Sequence, residues 1–266
     1  MTDISFLDSP QGEKTAWIND GPAPASEGPC GLFWLGGFMS DMEGSKASAL
    51  GELARMTNRS AVRFDYSGHG RSSGEFTEGT IGKWLREALA VFRGVARGPR
   101  ILIGSSMGGW LALLLARELA RHAPDEAARV KGMILMAPAA DMTKDLMWDK
   151  FPPGAREEIM EKGQITVPSE YGDEPYILTR ELIEEGKNHL LLDEGFEARC
   201  PVRILQGDAD KDVPWEHGLK VYKAVSGEDV TFTLIKGADH RLSGPRELRL
   251  LQEVVLALCA RADNES

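Results

Sequence analysis

The apolar triplet Ile101-Leu102-Ile103 runs directly into Gly104-Ser105-Ser106-Met107-Gly108-Gly109, and from Met107 to about Arg121 the chain is mostly apolar. A strand that turns into a helix within two or three residues leaves little room for side chains, so small residues must flank the turn. The residue at its apex, Ser106, is forced into a strained backbone conformation that lifts its hydroxyl above the sheet. The first amide of the helix, Met107 N–H, then faces negative charge developing at that point. Ser105 precedes the apex, so its side chain points elsewhere. The segment therefore requires a sheet, a following helix and a site at their junction.

The rest of the chain supplies the sheet. Residues 4–7 and 14–18 read as an opening hairpin across Ser9-Pro10-Gln11-Gly12. Residues 32–35, 61–64, 133–136, 202–205 and 230–235 are short strands, and helices are expected near 46–56, from 81 to 95, and from about 246 to 261. Such alternation predicts an α/β fold, a mostly parallel sheet with helices on both faces and its chemistry in loops at the carboxyl ends of strands. Residues 140–198 break the pattern. They hold helical stretches at 154–162 and 179–185, several prolines and no evident buried strand. They also carry fifteen acidic against six basic residues. The expectation is a helical lid, 140–198, inserted into a core made of 1–139 and 199–266.

A net charge of −10 argues against nucleic acid or anionic membrane as the main partner. The longest apolar run, 110–116, is far shorter than a membrane span, so no membrane anchor is expected. The first residues lack the basic segment of a secretory or import signal, so the expected location is cytoplasmic. Cys30, Cys200 and Cys259 are too scattered for a disulfide framework or a structural zinc site and read as reduced thiols. No metal or organic cofactor is implied.

A serine hydroxyl needs a base. His240, in Lys236-Gly237-Ala238-Asp239-His240 just past the last strand, can reach back over Ser106. His69, in a glycine-rich loop, reads as structural or rim; His122 ends a helix, and His189 and His217 read as surface residues. The base in turn needs a carboxylate, and Asp208, Asp210 and Asp212 compete for that place in the loop after residues 202–205.

Over nearly its whole length the chain resembles the α/β-hydrolases. The family's acid loop, Gly-x-x-Asp-x-x-Val-Pro, falls on Gly207, Asp210, Val213 and Pro214, and its histidine on His240. The resemblance thus implies Asp210, with Asp208 and Asp212 as solvated loop charges. The family's Asp-x-x-Gly-x-Gly-x-Ser turn falls on Asp65, Gly68, Gly70 and Ser72, and its oxyanion loop on Leu35-Gly36-Gly37-Phe38, which lacks the usual histidine. Phe38 N–H is then the partner of Met107 N–H. Several stretches, among them Phe38–Ala47 and Val213-Pro214-Trp215, are similar to the branch that holds the mitochondrial acyl-protein thioesterase and acyl-glucuronide deacylase.

The resemblance implies a serine hydrolase of carboxylic esters or thioesters, with Ser106, His240 and Asp210 forming and resolving an acyl-enzyme and a small-molecule ester or acylated molecule as substrate. A peptidase or carbon–carbon bond hydrolase would use the same three residues, and a ligand-binding module without turnover is the alternative outside enzymes. Dehalogenases of this fold need an aspartate where Ser106 stands. The lid offers Met142, Met147, Trp148, Phe151, Met160, Tyr171 and Tyr176 as acyl-pocket wall, and Trp110 and Trp215, which adjoin the catalytic motifs, are candidates for the substrate pocket beside Trp148 and Phe151, with core packing as the equal alternative for both. An acidic lid disfavours polyanionic substrates such as acyl-CoA, within the screening length of about 8–10 Å.

Overall fold

The computed structural model describes residues 3–167 and 175–265. In chain order the strands are β1 (Ser5–Asp8), β2 (Lys14–Asp20), β3 (Gly31–Leu35), β4 (Ala61–Phe64), β5 (Arg100–Ser105), β6 (Val130–Met136), β7 (Gln164–Val167), β8 (Tyr176–Thr179), β9 (Phe196–Glu197), β10 (Val202–Gly207), β11 (Val225–Ser226) and β12 (Val230–Ile235). The α-helices are α1 (Ser45–Met56), α2 (Ile81–Gly94), α3 (Met107–His122), α4 (Pro124–Ala127), α5 (Pro153–Lys162), α6 (Arg180–Gly186), α7 (Trp215–Ala224) and α8 (Pro245–Asn264).

Eight strands form one sheet in the order β1-β2-β4-β3-β5-β6-β10-β12. The first two pairs, β1–β2 and β2–β4, are antiparallel, and from β4 to β12 every pair is parallel. Side chains alternate across the sheet as strand geometry requires. Phe33, Leu35 and Leu102 point to the face covered by α2 and α3, whereas Leu32, Trp34, Ile101 and Ile103 meet α1 and α8 on the other. Both faces are dry, which explains why β3 and β5 read as continuous apolar runs. Burying each large side chain such as Trp84, Phe92 or Leu258 contributes roughly 1.5–3 kcal/mol.

After β3 the chain builds β4 on one side and then crosses to build β5 on the other. That reversal opens a crevice beyond the carboxyl ends of β3 and β5, the usual binding place in an open parallel sheet.

Between β6 and β10 lie α5, the β7–β8 pair, α6 and β9. The antiparallel pairing of β7 with β8, with Ile165 and Leu178 buried, corrects the expectation that this stretch holds no buried strand. Each strand is four residues long. Ile165 and Leu178 are buried in the main core while Gln164 and Thr166 stay exposed, so the alternation is too brief to stand out in a helix-rich context. Ile159, Leu182, Ile183, Leu191 and Leu192 join the same core on the α2–α3 side. Asp141, in a left-handed conformation (φ 57°), closes the neck of this stretch. Its two carboxylate oxygens accept the Leu191 and Leu192 amides at 2.8 and 3.0 Å. Among the described residues, no helix is long and apolar enough to cross a membrane.

Candidate active site

Five loops leave the carboxyl ends of parallel strands and converge on the crevice: Phe38 after β3, Asp65–Gly70 after β4, Ser106 after β5, Asp210 after β10 and His240 after β12. Ser106 sits at φ 55°, ψ −119°, a conformation that an L-residue adopts only under constraint. The turn tolerates no side chains at Gly104 or Gly108. A Cβ on Gly104 would lie 2.2 Å from the Gly108 carbonyl oxygen, and one on Gly108 would lie 2.0 Å from that of Leu35. Helix α3 is thereby pressed against the end of β3, with the Met107 amide in its first turn.

Ser106 Oγ–H donates to His240 Nε2 at 3.1 Å, and His240 Nδ1–H donates to Asp210 Oδ2 at 2.9 Å. The Asp210 side chain is fully buried and richly held. Its Oδ1 accepts the Asp212 and Val213 amides at 3.0 and 2.9 Å, and Oδ2 also accepts Gln206 Nε2 at 3.0 Å. Of the three competing aspartates, Asp210 is thus the one turned to the histidine. Asp208 instead pairs with Lys236 at 2.7 Å and accepts the Gly237 amide. Asp210, Asp212 and His240 place potential ligand atoms within 4.8 Å of one another. Both ring nitrogens of His240 are already hydrogen-bonded, Nδ1 to Asp210 and Nε2 to Ser106, which leaves the imidazole no free lone pair for a cation. Gln206 carries no sequence signal: it is a fully buried amide on β10 that bridges Asp210 to the Val213 carbonyl.

Phe38 lies beside Ser106. A Cβ on the preceding Gly37 would stand 3.5 Å from Ser106 Cβ. The Phe38 ring packs edge-on against Phe76, Trp84 and Tyr176 at 4.9, 6.0 and 6.1 Å, so the 140–198 stretch touches the Phe38 loop through Tyr176. Trp148 and Phe151 are half-buried against the core, and Arg156 and Lys187 stand over the Trp148 ring. Trp215 opens α7 and is also half-buried, Met142 is buried and Met160 is exposed. Tyr171 lies outside the described residues. Trp110 is corrected: it is fully buried, because α3 is wrapped by sheet and helices and its whole first half is core. A cavity of about 370 Å³, lined partly by Val130, Met133, Phe196 and Cys200, lies at the amino ends of β6 and β10, away from Ser106.

The other histidines are structural. His217, expected at the surface, is buried on α7 and donates from Nε2 to the Ala140 carbonyl at 2.8 Å. His189 is half-buried against Glu185 at 2.7 Å, and His122 is exposed. His69 is buried; Nδ1–H donates to the Ser67 carbonyl at 3.1 Å and Nε2 accepts the Met39 amide at 3.2 Å. Burial pushes its pKa down to about 4. The unfolded ring takes up a proton below about 6.5, which the folded ring resists, so the stability tied to the neutral ring is present above pH 6.5 and is lost as pH falls toward 4. The span corresponds to about 3 kcal/mol. Melting curves from pH 7 to pH 4 should fall more steeply for the wild type than for His69→Gln; equal slopes would refute this.

Asp65 anchors the same region, accepting the Met42 and Arg71 amides at 2.7 Å each. Desolvation raises its pKa to about 6.

The crevice, the strained serine turn and the serine–histidine–aspartate geometry define a hydrolase of the α/β class. The chain belongs to the α/β-hydrolase family: the family's sequence profile matches residues 31–249. Its relatives carry names of the same class. The protein named palmitoyl-protein thioesterase ABHD10, mitochondrial, from Homo sapiens is 36% identical over 252 residues, covering 94% of this chain and 78% of the relative. A putative hydrolase from Agrobacterium vitis S4 superposes with a TM-score of 0.92 at 40% identity, over 97% of this chain and 99% of that one. The mouse alpha/beta hydrolase domain-containing protein 10 gives 0.84 at 34%, over 97% and 99%. The human, Mus musculus and Pongo abelii thioesterases are all named mitochondrial, which corrects the expected cytoplasmic location.

Proposed function

We propose that the chain cleaves acyl thioesters and esters through an acyl-enzyme on Ser106, with Asp210 and His240 as its relay. The observation that carries this reading is the pair of hydrogen bonds, 3.1 and 2.9 Å, that link Ser106 through His240 to a buried carboxylate. As Ser106 Oγ attacks the acyl carbonyl, His240 takes its proton, and the Phe38 and Met107 amides receive the oxyanion. The leaving thiol or alcohol departs with that proton. Water, deprotonated by His240, then adds to the acyl-enzyme, and the carboxylic acid leaves as Ser106 recovers its proton.

The 140–198 stretch acts as the lid, with Tyr176, Trp148 and Phe151 as acyl wall and Trp215 on the far rim; the contact of Tyr176 with Phe38 supports this placement. The substrate is an acylated protein or a neutral ester. The relatives' names favour the first, and the fifteen acidic against six basic residues of the lid favour either over a polyanion.

Matched esters and thioesters over a range of chain lengths test the assignment. Long-chain thioesters are expected to turn over fastest. Acyl-CoA should lag behind peptide-linked thioesters at low salt, with the gap narrowing as salt rises. Turnover confined to short oxygen esters would remove the thioesterase reading and leave a carboxylesterase.

A further inference from the structure

We infer that His69 is the positioning residue of the oxyanion loop: by accepting the Met39 amide it fixes the peptide plane that follows Phe38. The inference rests on the reading of Ser106 as nucleophile and of Phe38 N–H as an oxyanion donor.

The Phe38 amide belongs to the plane that also contains the Gly37 carbonyl. That carbonyl accepts from both Ser40 N–H at 3.2 Å and Ser40 Oγ–H at 2.9 Å. In a planar trans peptide the N–H points opposite to the C=O, so this pair of bonds turns the Phe38 amide away from Ser40. The next plane ends in Met39 N–H, which His69 Nε2 accepts at 3.2 Å. Met39 itself is held at φ 54°, left-handed, and its side chain is exposed, so packing of the side chain does not hold it there. A residue in that region relaxes unless something fixes it. The Ser40-to-Gly37 bond closes the turn around Met39, and the bond to His69 fixes its amide, locking the second of the two planes that meet at Phe38.

His69 is built for that one task. The Ser67 carbonyl can only accept, so Nδ1 carries the proton and Nε2 keeps its lone pair. Tyr66, Phe76 and Trp84 pack edge-on around the ring at 5.7, 5.2 and 5.2 Å. Trp84 Nε1–H donates to the same Ser67 carbonyl at 3.2 Å, fixing the floor on which the ring stands. Phe76 and Trp84 also pack on Phe38, so one aromatic group shapes both the ring and the loop it holds.

The test compares His69→Phe, which fills the box without an acceptor, with His69→Gln, whose amide oxygen restores one. Each is assayed well below its own melting midpoint for kcat, KM and the affinity of an alkyl boronic acid, whose tetrahedral adduct on Ser106 places an oxygen where the oxyanion forms. Loss of a direct oxyanion donor lowers kcat by about 10²–10³-fold, and misplacement of one should cost less, about 10- to 100-fold. The expected result is that His69→Phe loses kcat and boronate affinity together by that factor with KM little changed, while His69→Gln recovers most of both. Unchanged kcat and boronate affinity in His69→Phe would overturn the inference, as would a kcat loss without loss of boronate affinity. Ser106→Ala separates the two levels: if it stays active, the nucleophile assignment itself fails, whereas an inactive Ser106→Ala beside a fully active His69→Phe removes only the role of His69.

Discussion

Ser106→Ala should lose at least about 10⁴-fold in turnover while folding as the wild type does. The fold is unaffected because alanine keeps the Cβ that serine already accommodates at φ 55°, so the strain of the turn is the same with either residue. What disappears is the oxygen that donates to His240 at 3.1 Å and would carry the acyl group. The oxyanion amides and the binding crevice remain and supply whatever residual rate is seen. Turnover above a tenth of wild type in a preparation free of the parent enzyme would show that the acyl group is transferred elsewhere. A fluorophosphonate probe gives the complementary reading, since it should label the wild type at Ser106 and leave the variant unmodified.

Asp210→Asn should cost nearly as much, about 10⁴-fold, through a change of tautomer. The carboxylate receives two backbone amides on Oδ1, and His240 and Gln206 on Oδ2. The amides of Asp212 and Val213 cannot reverse their direction, so the asparagine oxygen settles against them and its NH₂ faces His240. His240 Nδ1 can then meet that group only as an acceptor, which moves the ring proton to Nε2, facing Ser106. The imidazole no longer offers the serine a lone pair. Kinetics at neutral pH, with a melting curve to confirm folding, check this. A loss smaller than tenfold would mean that Asp210 does not set the tautomer of His240.

The serine turn and the mostly parallel sheet were legible because each is written in local sequence. Glycines mark the tight turn, and short apolar runs mark strands such as β3, β5 and β6, whereas the order of strands across the sheet depends on crossovers that local sequence does not record. Which aspartate faces His240 was not decidable from spacing among Asp208, Asp210 and Asp212. It emerged from resemblance, and in the structure from the direction of the loop's own amides. Gln206 and His217 were illegible because a polar side chain satisfied by specific partners leaves no periodic trace: His217 reaches the Ala140 carbonyl in a remote segment, and Gln206 is held by the loop that follows its own strand, at Asp210 and Val213. The β7–β8 pair escaped notice because its strands bury few side chains each, so tertiary contact rather than propensity makes them strands. Trp110 misled in the opposite sense. Neighbourhood to Ser106 in sequence suggested a role at the surface of the site, but one helical turn from the apex the chain is already core.

The two amides that Asp141 gathers have a consequence for how such a protein can change. Because Leu191 returns to Asp141 across fifty positions of chain, the excursion begins and ends at one fixed point on the scaffold. With its ends fastened, lengthening such an excursion costs only about 0.6 kcal/mol per doubling in closure entropy. Ser106, Asp210 and His240 all lie outside the tether. On the proposed reading of this excursion as a lid, it is an exchangeable cassette whose recognition surface can be traded for another while the proposed catalytic residues below stay in place.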